Sequence, residues 1–215
     1  MHSNIHAYLA GPDVFFPNAI EIGQAKKDYL ASLGIIGHFP FDNEIPPEAF
    51  NNPQLAAKTI ADANEKMMDD CCKDGNIGII LVNMNPFHGP SMDCGTAFEA
   101  GYMSALSKYK GNVIIVGYSA DERIFEERVI QDVYNGVGIT QSNGMIYGPD
   151  GNMIEAFGGE DNLMITAAIE RTGDRVCKTF EEAAELAQQL AQAKLLTLSA
   201  PPKLSIARNY NNSMG

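Results

Sequence analysis

Short apolar runs alternate with stretches of helical period along most of the chain. His6-Ala7-Tyr8-Leu9-Ala10 is an apolar run halted by Gly11-Pro12, the pattern of a buried strand ending in a loop. Residues 19–33 place Ile20, Ala25, Tyr29, Leu30 and Leu33 at roughly helical spacing and stop at Gly34, a C-terminal signal. The pattern then predicts a strand over 35–39, a Pro- and Asn-rich loop over 40–53, and a helix over 55–72 closed by the turn Lys73-Asp74-Gly75-Asn76. Residues 77–82 form the most persuasive buried strand. A Pro- and Gly-bearing loop over 83–95 follows, then a helix from about 97 to 108 and a strand over 113–116. Past Gly117 the pattern predicts a helix over 121–134 and a Gly-rich excursion over 136–159 holding a hairpin around 144–153. Helices over 161–171 and 180–196 come next, the latter amphipathic with Thr179 as its N-cap. Pro201-Pro202 and the polar 209–215 segment read as a tail, so one domain over 1–198 and a tail over 199–215 are expected.

Strands alternating with helices specify an α/β layer fold with a mainly parallel sheet. Such sheets bind ligands beyond the carboxyl ends of their strands, where strand order reverses; in the flavodoxin-like order that lies between the first and third strands. Here those ends are Gly11-Pro12-Asp13 and Asn83-Met84-Asn85-Pro86, both polar and irregular. Neither a Gly-x-Gly-x-x-Gly signature nor a Walker loop follows the first strand, which argues against a dehydrogenase or a nucleotide triphosphatase.

Composition narrows the partners. Hydrophobic residues make up 45% of 215 residues, enough for one sizeable core. Fifteen Lys plus Arg against 27 Asp plus Glu leave a net charge of −12, which repels nucleic acid and anionic membranes. Cys71, Cys72, Cys94 and Cys177 form no C-x-x-C pair, and Met1–Ala10 carries no basic leader before an apolar run, so a cytoplasmic protein with reduced thiols is expected. The longest purely apolar run, Ile79-Ile80-Leu81-Val82, is far too short to span a bilayer.

The densest chemistry lies in residues 86–102, where Asp93 falls in a loop and Glu99 in the first turn of the following helix. Two carboxylates beside one crevice are the minimum equipment for glycosidic chemistry. A structural role competes: Thr96-Ala97-Phe98-Glu99 also fits a capping box, with Glu99 bonding the N-cap amide. His2, His6 and His38 are scattered and read as surface or packing residues, Met67, Met68 and Met103 as core, and Asp69-Asp70 as a solvated pair. His88 and Cys94 lack third and fourth partners for a metal.

Tyr8-Leu9-Ala10-Gly11-Pro12-Asp13-Val14-Phe15, Asp42-Asn43-Glu44, Asn64, Pro86-Phe87-His88-Gly89, the Asp93–Gly101 segment and Asn162-Leu163-Met164 follow one another in consistent order from about Ile5 to Thr166. Together they resemble the nucleoside 2-deoxyribosyltransferase family. The resemblance implies a flavodoxin-like three-layer α/β/α fold. It also implies exchange of the base on a 2-deoxyribonucleoside through a covalent deoxyribosyl-enzyme, with no metal or organic cofactor. By position, Glu99 would be the nucleophile, Tyr8 the phenol that orients it, and Asp93 a ligand of the sugar hydroxyls. Gly11, Phe87 and Gly95 would line the site; Asn64 and Asp42-Asn43-Glu44 would lie near the base. Asn162 and Met164 would reach the site of a neighbouring subunit, which implies a homo-oligomer with shared sites.

Three functions are then in play: transfer of deoxyribose between free nucleobases, hydrolysis of the same bond, and non-catalytic nucleoside binding. A 5′-phosphate needs cations around it. Residues 11–17, 41–47 and 83–95 contain no Arg or Lys, which favours free nucleosides. The same charge pattern ranks transfer ahead of hydrolysis as in the deoxynucleotide N-hydrolases, and the presence of both Glu99 and Tyr8 ranks non-catalytic binding last.

Overall fold

The computed structural model describes residues 4–199. Along the chain run β1 (Ile5–Ala10), α1 (Ala19–Ser32), β2 (Ile36–His38), α2 (Pro53–Cys71), β3 (Ile77–Asn83), α3 (Cys94–Tyr109) and β4 (Val113–Tyr118). There follow the short α4 (Phe125–Arg128), which continues as a π-helical turn, and the strands β5 (Thr140–Ser142), β6 (Met145–Tyr147) and β7 (Met153–Ile154). The described chain ends with α5 (Leu163–Gly173), β8 (Val176–Cys177) and α6 (Phe180–Ser199).

Among the described residues the main sheet has five strands in the order β2-β1-β3-β4-β8, every pair parallel. This is the flavodoxin-like order in a three-layer α/β/α fold. All residues of β3 and β4 are buried, as strands covered on both faces must be, which explains their unbroken apolar runs. Alternation sends Ala7, Leu9, Ile79 and Leu81 to one face, against Leu30 of α1 and Ala183, Ala184 and Ala187 of α6. Tyr8, Ala10, Ile80 and Val82 point to the other, against Met68 of α2, Met103 of α3 and Ile169 of α5. Tyr8 therefore enters the layer that holds α3.

The boundaries that moved have local causes. The strand expected over 35–39 shrinks to the edge strand β2, which among the described residues pairs only with β1. The helix expected over 121–134 is a single α-turn running into a π-turn, stopped by Asn135 and Gly136 at φ 52° and 70°. The helix expected over 161–171 runs over Leu163–Gly173, because the Asn162 side chain caps it by accepting from Met164 N at 3.1 Å. β8 is two residues long, too short to leave a period in sequence. The hairpin expected around 144–153 is a three-stranded antiparallel sheet, β5-β6-β7. Thr179 Oγ1 accepts from Glu182 N at 3.2 Å, as its reading as a cap requires.

His6 and His38 are not scattered: they stack across β1 and β2 with ring nitrogens 2.9 Å apart. All four cysteines are free. Among the described residues no helix is long and apolar enough to cross a membrane. From residue 200 onward the expected tail lies outside the described residues.

Candidate active site

The crevice opens where β1 and β3, adjacent in the sheet, end side by side. Gly11 makes the close approach possible. Its backbone is extended, but a Cβ there would sit 2.7 Å from Asn83 Cβ and 2.8 Å from Asp13 Oδ2, so any side chain would push the two strand ends apart. Beneath this loop Asp13 pairs with Lys26 of α1 at 2.6 Å, and Lys26 also donates to Tyr118 Oη at 2.8 Å. Asn83 Nδ2 lies 3.3 Å from the same Asp13 carboxylate.

α3 begins at Cys94, three residues earlier than its period suggested, because Asp93 is the N-cap. Its Oδ2 accepts from Thr96 N at 2.8 Å and from Thr96 Oγ1 at 2.9 Å. That leaves Glu99 in the second turn with no capping role, and the capping-box alternative falls. Its carboxylate turns toward the sheet instead, where Tyr8 Oη donates to Glu99 Oε1 at 2.5 Å. Charge-assisted O–H···O⁻ bonds run this short.

Burial pushes the Glu99 carboxyl up to about 7; the Tyr8 hydrogen bond pulls it down, and the neighbouring Asp93 charge pushes it up again. Burial, followed by the Glu99 charge, drives the Tyr8 phenol far above its ordinary range, so Tyr8 is a fixed donor at any working pH. A carboxylate poised near neutrality beside a permanent phenolic donor is equipped to attack a carbon that gains positive charge.

Glu99, with Tyr8 buried behind it, opens onto a cavity of about 590 Å³, within the usual range for small-molecule sites. Asp93, Gly95, Thr96, Glu99 and Gly11 form one end. Phe41, Ile45, Phe50 and Ile60 form apolar walls around the other, where Asn43 Nδ2 donates to Asn64 Oδ1 at 2.9 Å. Among the described residues its charged lining is Asp93 and Glu99, with no Lys or Arg. Phe15, 64% exposed, covers one side; Phe87 stacks behind it at 5.4 Å, and His88 behind Phe87 at 4.0 Å. Phe87 thus backs the wall rather than forming it.

Of the expected Asp42-Asn43-Glu44 trio the structure brings only Asn43 to the cavity. Asp42 caps its own turn, accepting from Phe39 N at 2.8 Å, and pairs with Lys27 at 2.5 Å, while Glu44 is exposed outside the lining. Asn162 and Met164 lie at the start of α5, outside this chain's own cavity. The Asn162 amide donates to Glu155 Oε2 at 2.7 Å, and Met164 is 72% exposed. Sequence reasoning missed Phe41 and Phe50 as wall residues. The signal was present: large aromatics in a Pro- and Asn-rich loop have no core to enter and so line a cleft or cover one.

Comparison with known proteins decides the family. Residues 7–164 match the family model described as nucleoside 2-deoxyribosyltransferase. The chain belongs to that family. An uncharacterized protein of Schizosaccharomyces pombe is 32% identical over 181 residues, covering 80% of this chain and 81% of the relative. A 2-desoxiribosyltransferase from Leishmania mexicana has a similar solved structure at 27% identity, with a TM-score of 0.59 over 86% of this chain and 97% of that one. Membership places the protein among pentosyl-transferring enzymes, and the matched span takes in every residue that shapes the cavity.

Proposed function

We propose that the chain exchanges the base of free 2-deoxyribonucleosides through a deoxyribosyl ester on Glu99. The carboxylate of Glu99 attacks C1′ as the C1′–N bond breaks, and the base leaves with the bonding pair and takes up a proton. An incoming base then attacks C1′ from the vacated side, expels the carboxylate and loses its own proton. Two displacements at one carbon retain configuration. A 2-deoxy sugar lacks the electron-withdrawing 2′-hydroxyl, so positive charge at C1′ develops readily and a placed carboxylate captures it. Asp93 holds the sugar hydroxyls, the Asn43–Asn64 pair faces the base, and Asn162 and Met164 complete the site of an adjacent subunit in a homo-oligomer. The residues themselves supply the chemistry, with no cofactor. The observation that carries this reading is the 2.5 Å Tyr8–Glu99 contact opening on a mostly apolar cavity.

Incubation with deoxyinosine and free adenine, followed by chromatography, tests it. Deoxyadenosine is the expected product; free deoxyribose without deoxyadenosine would replace exchange by hydrolysis, and unchanged substrate would leave only binding. The lining supports free nucleosides over nucleotides, because a 5′-phosphate would bring two negative charges toward Asp93 and Glu99 with no cation among the described lining residues. Deoxyinosine 5′-monophosphate is therefore expected to react at least about tenfold less efficiently than deoxyinosine, with the ratio of kcat/KM as the measurement.

Tyr8→Phe gives a third test. Removing the phenolic donor deletes the contribution that holds Glu99 down, so its pKa rises above about 7 and the acidic limb of the pH–rate profile moves upward. Activity should fall more at pH 6 than at pH 8. An acidic limb left in place, with a lower melting temperature, would reduce Tyr8 to a packing residue.

A further inference from the structure

Asp161 is among the most deeply buried charged residues described, yet it lines none of the cavity around Glu99. One carboxylate oxygen, Oδ2, accepts from the backbone N–H of Met92 at 2.8 Å; the other, Oδ1, accepts from the N–H of Asn162 at 2.8 Å. Met92 directly precedes Asp93, the N-cap of the helix that carries Glu99, and is itself buried in the core layer between the sheet and α3. Asn162 caps α5 and leads into the exposed Met164. A single side chain thus joins two segments 69 residues apart in sequence.

Its own frame is rigid. The Thr166 hydroxyl accepts from Asp161 N at 3.2 Å and donates to Asp161 O at 3.0 Å. The Arg128 guanidinium, with no exposed surface, lies 3.6 Å from Asp161 Oδ2 and donates to the Glu160 carbonyl. Arg128 Nε and Nη1 have no hydrogen-bond partner among the described residues, so the ion pair is incompletely compensated. Buried pairs of that kind are poor stabilisers, and apolar residues of similar volume do as well or better. What apolar residues cannot do is accept two backbone N–H groups at fixed positions.

We infer that Asp161 is a positioning residue, a clamp that sets the Met92–Asp93 corner of the chain's own site and, through Asn162, the segment it offers to a neighbour. The inference rests on the reading of Glu99 and Asn162 as parts of working sites. Arg128, 3.6 Å away, holds the carboxylate in place; Thr166 fixes its backbone. The clamp ties a chain's own catalytic corner to the part it lends, so a disturbance at one site is transmitted toward the next.

Asp161→Asn is the test. Its single carbonyl oxygen can serve one of the two N–H groups, and its NH₂ faces the other. Amide hydrogen exchange in the full-length protein should speed up at least about tenfold in 86–95 or 160–166, while β3 and β4 keep wild-type protection. Base exchange should fall at least about tenfold in kcat. A residue that merely supports the fold would loosen the strands together with the loops, and that pattern overturns the proposal, as does unchanged protection in both segments. If Asp161→Asn does not fold, Thr166→Val, which deletes only the bracing hydroxyl, is read by the same segments and the same criteria. A wild-type chain that neither exchanges nor hydrolyses deoxynucleosides overturns the functional reading alone, because the exchange rates of 86–95 and 160–166 report on the clamp without any turnover.

Discussion

Glu99→Gln should abolish base exchange and at the same time make the protein harder to unfold at pH 8. The loss follows from deleting the group that forms the proposed ester: several thousandfold or more, on the order of 5 kcal/mol of transition-state stabilisation. The gain follows from linkage. Burial raises the Glu99 pKa from 4.5 to about 7 in the folded state. Below pH 4.5 the carboxyl is neutral in folded and unfolded chains, and the wild type bears no penalty. As pH climbs through 7 the unfolded chain ionises freely while the folded one must ionise a buried group, and the wild type loses about 3 kcal/mol that the glutamine keeps. For a chain of this size that is a melting-temperature rise of roughly 6 to 12 °C at pH 8, vanishing near pH 4. Calorimetry at the two pH values and a base-exchange assay settle both halves. A variant that stays active while melting lower at pH 8 would strip Glu99 of its role as nucleophile.

The second large effect is recovery from nothing. Glu99→Ala and Asn162→Ala chains are each expected to be inactive alone. If sites are shared between subunits, mixing and reassociating the two should restore about a quarter of the wild-type rate in a statistical population of dimers. Half the dimers are then mixed, and each mixed dimer carries one site with both native groups. In the structure the Asn162 amide donates to Glu155 Oε2 at 2.7 Å, and Met164, two residues on, is largely exposed. Failure to complement in demonstrably mixed oligomers, or full activity from a proven monomer, would sink the shared-site reading.

How far the sequence alone reached can be judged from particular residues. The central strands were legible because burial on both faces leaves unbroken apolar runs, and β3 needs nothing else to be found. β8 was not legible, since two residues have no period; its place in the sheet is set by β4 and by α6 beyond it. The start of α3 was misplaced because Asp93, which caps through Thr96, sits in a motif that invites a purely catalytic reading. Its Oδ2 faces the helix and caps it, while the residue also lines the cavity. The Tyr8–Glu99 pair spans 91 residues, and its contact distance could come only from the fold. Asp42, Asn43 and Glu44 read as a block in sequence, yet the 3₁₀ turn ends at Asp42 and the backbone is extended at Asn43, so of the three only Asn43 lines the cavity. The clamp at Asp161 left no trace, because an aspartate before an N-cap asparagine looks like ordinary helix-start chemistry.

The two ends of the cavity are made of different kinds of structure, and that bears on how the protein can change over generations. Glu99, Tyr8 and Gly11 belong to the sheet, its first crossing loop and the helix packed on it, where a substitution disturbs the core. Phe41, Asn43, Ile45 and Phe50 belong to a 3₁₀-punctuated surface stretch, and Phe41 and Phe50 are 54% and 60% exposed. Replacing side chains there costs the fold on the order of 0.5 kcal/mol or less. Under the proposed function, selection can therefore redraw the wall assigned to the base while the Tyr8–Glu99 pair stays in place. A lineage carrying this architecture can change that wall through stable intermediates, and a directed-evolution library confined to the exposed Phe41 and Phe50 should contain mostly folded members.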